Sequence, residues 1–186
     1  MTVLYHFSDD PAIERFVPRP VAVPAERGPG MAWLNGPLVW AIDVWHSPMY
    51  LFPRECPRIL LWRTALTTDE DGNRWFGHTT ARIIAYTEWA WFERLCTATV
   101  YRYRLPQDTF SDLHDAGMWV SRKAVEPLGV DRIGHFPGEL ESAAVELRVV
   151  PSLVPLRDLW ETSLHVSGVR LRNAADWGRP SLAGEP

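Results

Sequence analysis

Short apolar runs and strict alternations, rather than long helical periods, dominate this chain. Residues 3–7, 38–42 and 58–63 read as strands, as do 82–86, 118–121, 125–133, 145–150 and 166–171, each a run of strand length bounded by turn-forming residues. Residues 99–105 alternate clearly, with Val100, Tyr101, Arg102, Tyr103, Arg104 and Leu105 suited to a half-buried strand. Helical signals are brief. Ser8-Asp9-Asp10-Pro11 supplies a polar cap, an early proline and acids at the positive dipole end, with Ile13 and Phe16 as the apolar face. Ser47-Pro48 opens a short helix that Pro53 stops, and Thr87 caps one bearing Trp91, Phe92 and Leu95. Further short helices are expected at 138–144 and 155–162. Asp69-Glu70-Asp71-Gly72-Asn73 reads as a turn, and the proline- and glycine-rich 17–37 as a long irregular loop.

Strands and helices do not alternate as βαβ units. The expected class is therefore α+β: a mixed, mostly antiparallel sheet split around a cleft, with short flanking helices. One domain over residues 1–173 is expected, followed by a small, polar, Pro/Gly-rich flexible tail over 174–186.

Composition adds a core and removes several functions. Hydrophobic residues make up 46% of the 186, including ten tryptophans, which is enough for a well-filled aromatic interior. The net charge of −4 gives no global basic footprint for nucleic acid, although a local patch is still compatible with it. Lys123 is the only lysine among nineteen basic side chains. Arginine-biased codon usage explains that, and planar recognition of phosphate or carboxylate is the functional alternative. Cys56 and Cys96 stand far apart, with neither a disulfide framework nor zinc spacing. The N-terminal residues show no leader pattern and no run approaches the ~20 apolar residues of a membrane span, so a cytoplasmic location is expected.

Four segments carry candidate chemistry. Leu4-Tyr5-His6-Phe7 ends a strand on a histidine. Val39-Trp40-Ala41-Ile42-Asp43 runs into Trp45-His46-Ser47-Pro48-Met49-Tyr50, where helical spacing sets His46 and Tyr50 on one face. Arg19 follows Phe16-Val17-Pro18, and Arg54 and Arg58 bracket Glu55-Cys56-Pro57, so proline-stiffened arginines are placed to clamp a phosphate. Gly117-Met118-Trp119-Val120-Ser121 precedes Val125-Glu126-Pro127. Each has a plain structural reading: a strand-end histidine, a core tyrosine, solvated arginines, a packing strand.

Together, over roughly residues 1–135, these segments resemble the ADP-ribosyltransferase and RNA 2′-phosphotransferase superfamily, whose small bacterial members often open on a Tyr-His pair. The chain as a whole also resembles uncharacterised bacterial families of similar length. The superfamily resemblance implies that His6 hydrogen-bonds the ribose of NAD and that Tyr50 stacks on the nicotinamide; on that reading Arg19 and Arg54 hold phosphates, His46 shares a face with Tyr50, and Ser121 adds a polar group to the cleft. It also implies a catalytic acid at the opening of the strand that here begins with Met118. Glu126 is a displaced substitute, eight residues on and about 26 Å away along a continuous strand, so it serves only if the chain folds back after Ser121. Without an acid the positive charge that builds on the ribose loses its main stabiliser.

No P-loop, G-x-G-x-x-G, H-E-x-x-H or G-x-S-x-G is present, and the tryptophans are better explained as packing than as platforms for bases. Two readings stay open. One is an NAD- or nucleotide-binding, catalytically degenerate relative of the transferases, with His6, Tyr50 and Glu126 as its candidate catalytic set. The other is a non-catalytic domain that meets a protein partner through exposed aromatics.

Overall fold

The computed structural model describes residues 3–178. Its strands are β1 (Val3–Ser8), β2 (Val39–Ile42), β3 (Arg58–Trp62), β4 (Ile83–Glu88), β5 (Thr99–Pro106), β6 (Ser111–Asp112), β7 (Met118–Ser121), β8 (Gly129–Gly134), β9 (Val145–Val150) and β10 (His165–Val169). The α-helices are α1 (Asp69–Phe76), α2 (Phe92–Thr97) and α3 (Phe136–Ser142); shorter 3₁₀ turns supplement them. The architecture is α+β with mostly antiparallel sheets, as the alternation predicts. β4 and β9 pair in parallel.

The chain folds as two compact units. Among the described residues, 3–51 and 99–133 form the first, and 52–98 and 134–178 the second. The first holds a six-stranded sheet in the order β6-β7-β2-β1-β5-β8. One face of it buries Leu4, Val39, Ala41, Tyr103 and Leu105 with Phe16, Phe110 and Val125. The second holds a four-stranded sheet ordered β10-β3-β4-β9. Every residue of β3 and β4 is buried, which is why these two strands read as continuous apolar runs instead of alternations.

Several local expectations fail for identifiable reasons. No helix follows Ser8. The Ser8 hydroxyl accepts from Asp10 N, Asp10 Oδ1 accepts from Ala12 N, and the Tyr103 hydroxyl donates to Asp10 O while accepting from Ile13 N. Side chains thus take the backbone groups that a helix would pair internally. Residues 69–73, expected as a turn, are instead the first half of α1. Thr68 caps it by accepting from Asp71 N, and three acids occupy its first turn. Thr87 is no cap; it lies buried in β4, its hydroxyl donating to Pro57 O at 2.9 Å. Ala174, the first residue of the expected tail, is buried in the second unit's core, and Trp177 packs against that core. Residues 179–186 of that segment lie outside the described residues.

Cys56 is buried beside Thr87, with Sγ 3.2 Å from its Oγ1, and burial pushes its thiol up. Cys96 is only partly buried. A thiol reagent at pH 8 is therefore expected to label Cys96 promptly and Cys56 only after denaturation. Two equally fast thiols in the native protein would contradict this packing. Among the described residues no helix is long and apolar enough to cross a membrane.

Candidate functional site

The site lies within the first unit, at the seam between its two central strands. β1 pairs with β5 along six positions and β2 with β7 along four, yet β1 and β2 stand in register only at Tyr5↔Ile42. Beyond that pair the strands splay. The opening is a cleft of about 290 Å³, open solvent included, lined by Tyr5, His6 and Phe7 from β1 and Trp40, Ala41 and Ile42 from β2. Tyr50 and Met118 complete its wall.

His6 bridges the seam. Its Nδ1 lies 2.8 Å from Trp40 O, and a carbonyl only accepts, so Nδ1 carries the proton. In the neutral ring Nε2 is then an acceptor. Phe16 packs against the imidazole at 4.7 Å between centroids and limits its rotation. Tyr50 stacks on Phe7 at 5.7 Å with a 16° interplanar angle, and its hydroxyl lies 3.9 Å from Met118 Sδ. The walls are thus aromatic and apolar, with an imidazole, a phenol and backbone groups as polar features. Trp40 adds an indole N–H that is buried without a hydrogen-bond partner.

His46 departs from expectation. The segment Ser47–Tyr50 is a 3₁₀ helix, in which four residues turn about 480° and so leave His46 and Tyr50 some 120° apart. His46 pairs instead with Asp43, its Nδ1 2.9 Å from either carboxylate oxygen and its backbone N–H donating to Oδ1 at 2.7 Å. This pair packs on Gly117, whose carbonyl accepts from Asp43 N. It therefore adjoins the lining residues Ile42 and Met118 without itself lining the cleft. The Asp-x-x-His spacing was the sequence signal for the partnership.

The other candidates do not line the cleft. Ser121 is buried, its hydroxyl donating to Thr109 Oγ1 and accepting from Lys123 N. It does not line the cleft. Glu126 is exposed and follows Val125, which bridges to Phe16; it does not line the cleft. Arg19 is exposed on a backbone bridge to Leu38. Arg54 belongs to the second unit, where its carbonyl accepts from Arg170 Nε. Arg58, in the second unit too, is buried in β3 with Nη1 donating to Cys56 O. Three of the positions that the sequence singles out, His6, Tyr50 and Met118, thus meet at one cleft. Sequence reasoning missed Tyr5, Phe7 and Trp40 as walls, because strand residues become walls only where neighbouring strands diverge.

Among the described residues, no three His, Cys, Asp or Glu side chains gather to hold a metal ion. No curated protein and no solved structure is matched by the sequence or the fold. Residues 5–174 match the model of a family of unknown function (DUF6886), and the chain belongs to that family.

Proposed function

We propose that the seam cleft binds an NAD- or nucleotide-type ligand in the manner of a catalytically degenerate ADP-ribosyltransferase-like protein. The observation that carries this reading is the meeting of His6, Tyr50 and Met118, three positions from three separate segments, on a single cleft. The Tyr50–Phe7 stack offers a flat wall for an aromatic ring. His6 lines the cleft from the sheet face it shares with Leu4 and Tyr103, its Nδ1 bonded to Trp40 O, and supplies the one imidazole in the lining for a sugar hydroxyl. None of the lining residues is a carboxylic acid, and a thioether at Met118 cannot offset positive charge developing on the sugar. Binding without turnover is the consequence.

The test is a thermal-shift titration with NAD and with nicotinamide riboside, followed by incubation with adenosine-labelled NAD, alone and with cell lysate. Both ligands are expected to raise Tm in the native protein, because a ligand that binds only the folded state stabilises it. His6→Ala is expected to weaken binding about tenfold, the loss of one good hydrogen bond. Absence of any shift at millimolar ligand would sink the reading. Robust turnover that is lost in Glu126→Gln would overturn its degenerate part and make Glu126 the acid.

A second reading, a protein-interaction domain, draws on Met31 and Trp33, which are 38% and 39% exposed in one short segment. It predicts no response to either ligand.

A further inference from the structure

We propose that Arg102 and Arg104, on β5, form an anion subsite beside the cleft that takes the phosphate of a bound nucleotide. The location of the nucleotide rests on the reading above; the affinity for the anion does not. Alternation along β5 puts Tyr103 and Leu105 into the core and both arginines on the opposite face. Across the ladder Arg104 faces Tyr5 and Arg102 faces Phe7, and both partners are cleft walls. The Arg102 guanidinium carbon sits 4.9 Å from the centroid of the Tyr5 ring, so a positive charge lies one ring away from the cleft.

The pair carries more charge than its surroundings balance. Asp131 on β8 meets both arginines through one oxygen, 3.2 Å from Arg102 Nη2 and 3.9 Å from Arg104 Nε. Two guanidinium groups therefore share one carboxylate. On the β1 side the facing residues are Tyr5 and Phe7, which bring no charge. Arg132, next along β8, is bonded to Thr99. Arg102 Nε is buried with no hydrogen-bond partner, a donor held in place at a cost. At Gly129 a Cβ would lie 2.4 Å from Arg104 Nη2, so the guanidinium lies close against the β8 backbone. Donor forks in surplus over acceptors, fixed by a ring and a strand, suit the tetrahedral oxygens of a phosphate ester or pyrophosphate. This pair takes the role that the sequence suggested for Arg19 and Arg54.

The experiment compares nicotinamide mononucleotide, nicotinamide riboside and inorganic pyrophosphate by calorimetry, in wild type, in R102Q/R104Q and in R102K/R104K. Wild type is expected to bind pyrophosphate, weakening with salt, and to prefer the mononucleotide over the riboside by about tenfold. In R102Q/R104Q the preference should fall to about one with riboside affinity unchanged, and pyrophosphate binding should vanish. R102K/R104K, which keeps the charge, should recover part of both. An undiminished preference in the glutamine variant, or no preference in a wild type that binds riboside, overturns the subsite and leaves the cleft reading standing. Arginine-dependent pyrophosphate binding without riboside binding supports the subsite and refutes the cleft reading. If wild type binds none of the three, both fall.

Discussion

Glu88→Ala is expected to lower the stability of the second unit by about 3 kcal/mol, the loss of charge-assisted hydrogen bonds from the protein interior. Glu88 ends β4 at 2% exposure, and its carboxylate does the work of a main-chain connector. Oε1 accepts from Leu153 N at 3.0 Å, and Ala175 N donates to both oxygens at 3.2 and 3.0 Å. One side chain thereby pins the start of the 3₁₀ helix Val154–Glu161 and the segment after Asn173 to the sheet. Alanine removes the acceptor and leaves the Leu153 N–H buried with no counterpart from that side chain. In a chain of this length such a loss corresponds to a fall in Tm of roughly 6–12 °C. Glu88→Gln should fall between, since one oxygen becomes an NH₂ turned toward a backbone donor. Hydrogen exchange should locate the damage, with protection lost first at Leu153 and Ala175. A Tm within a degree of wild type would show that the carboxylate is incidental to this packing.

Gly117→Ala is expected to damage both stability and ligand binding. Gly117 adopts φ +69, a region that an L side chain enters at a cost of about 1 kcal/mol or more. A Cβ there would also sit 2.2 Å from His46 Nδ1 and 2.6 Å from Asp43 Oδ2, distances that force something to move. What moves is the Asp43–His46 pair or the backbone of Met118. Overpacking of this kind adds about 1–3 kcal/mol. His46 directly precedes the 3₁₀ helix that carries Tyr50, so displacement reaches the cleft wall. Gly28→Ala is the matched control: nothing lies within 4 Å of its Cβ, and the change should stay within about 0.5 kcal/mol. If Gly117→Ala behaved like Gly28→Ala in Tm and in riboside affinity, the close packing described here would be wrong.

Strand positions were legible in the sequence because side-chain alternation and β-branched runs are properties of a few neighbouring residues. β7 and β9 occupy the ranges expected for them, and β1, β2, β3 and β5 differ only at their ends. Two helical signals failed in opposite senses. Ser8-Asp9-Asp10-Pro11 had the composition of a cap, but the Tyr103 hydroxyl, more than ninety positions away, took the backbone groups that a helix would have used. Residues 69–73 had the composition of a turn, yet Thr68 caps a helix there and Arg63 donates to Gly72 O at 2.8 Å, covering the weak glycine within it.

By itself, then, the sequence determined the strand-rich α+β class, the apolar runs that become β3 and β4, and the candidacy of His6 and Tyr50. Only the tertiary structure decided that the strands divide between two sheets, that β4 and β9 run parallel, and that β1 and β2 meet at a single pair before opening into a cleft. It also decided that Arg102 and Arg104 stand across the β1–β5 ladder from Phe7 and Tyr5, two of the cleft's walls. The physical reason is common to all of these. Alternation is set by adjacent residues on one strand, whereas register, seam opening and the gathering of charge depend on which distant strand a hydrogen-bond ladder selects, and that choice is made by the whole buried surface at once.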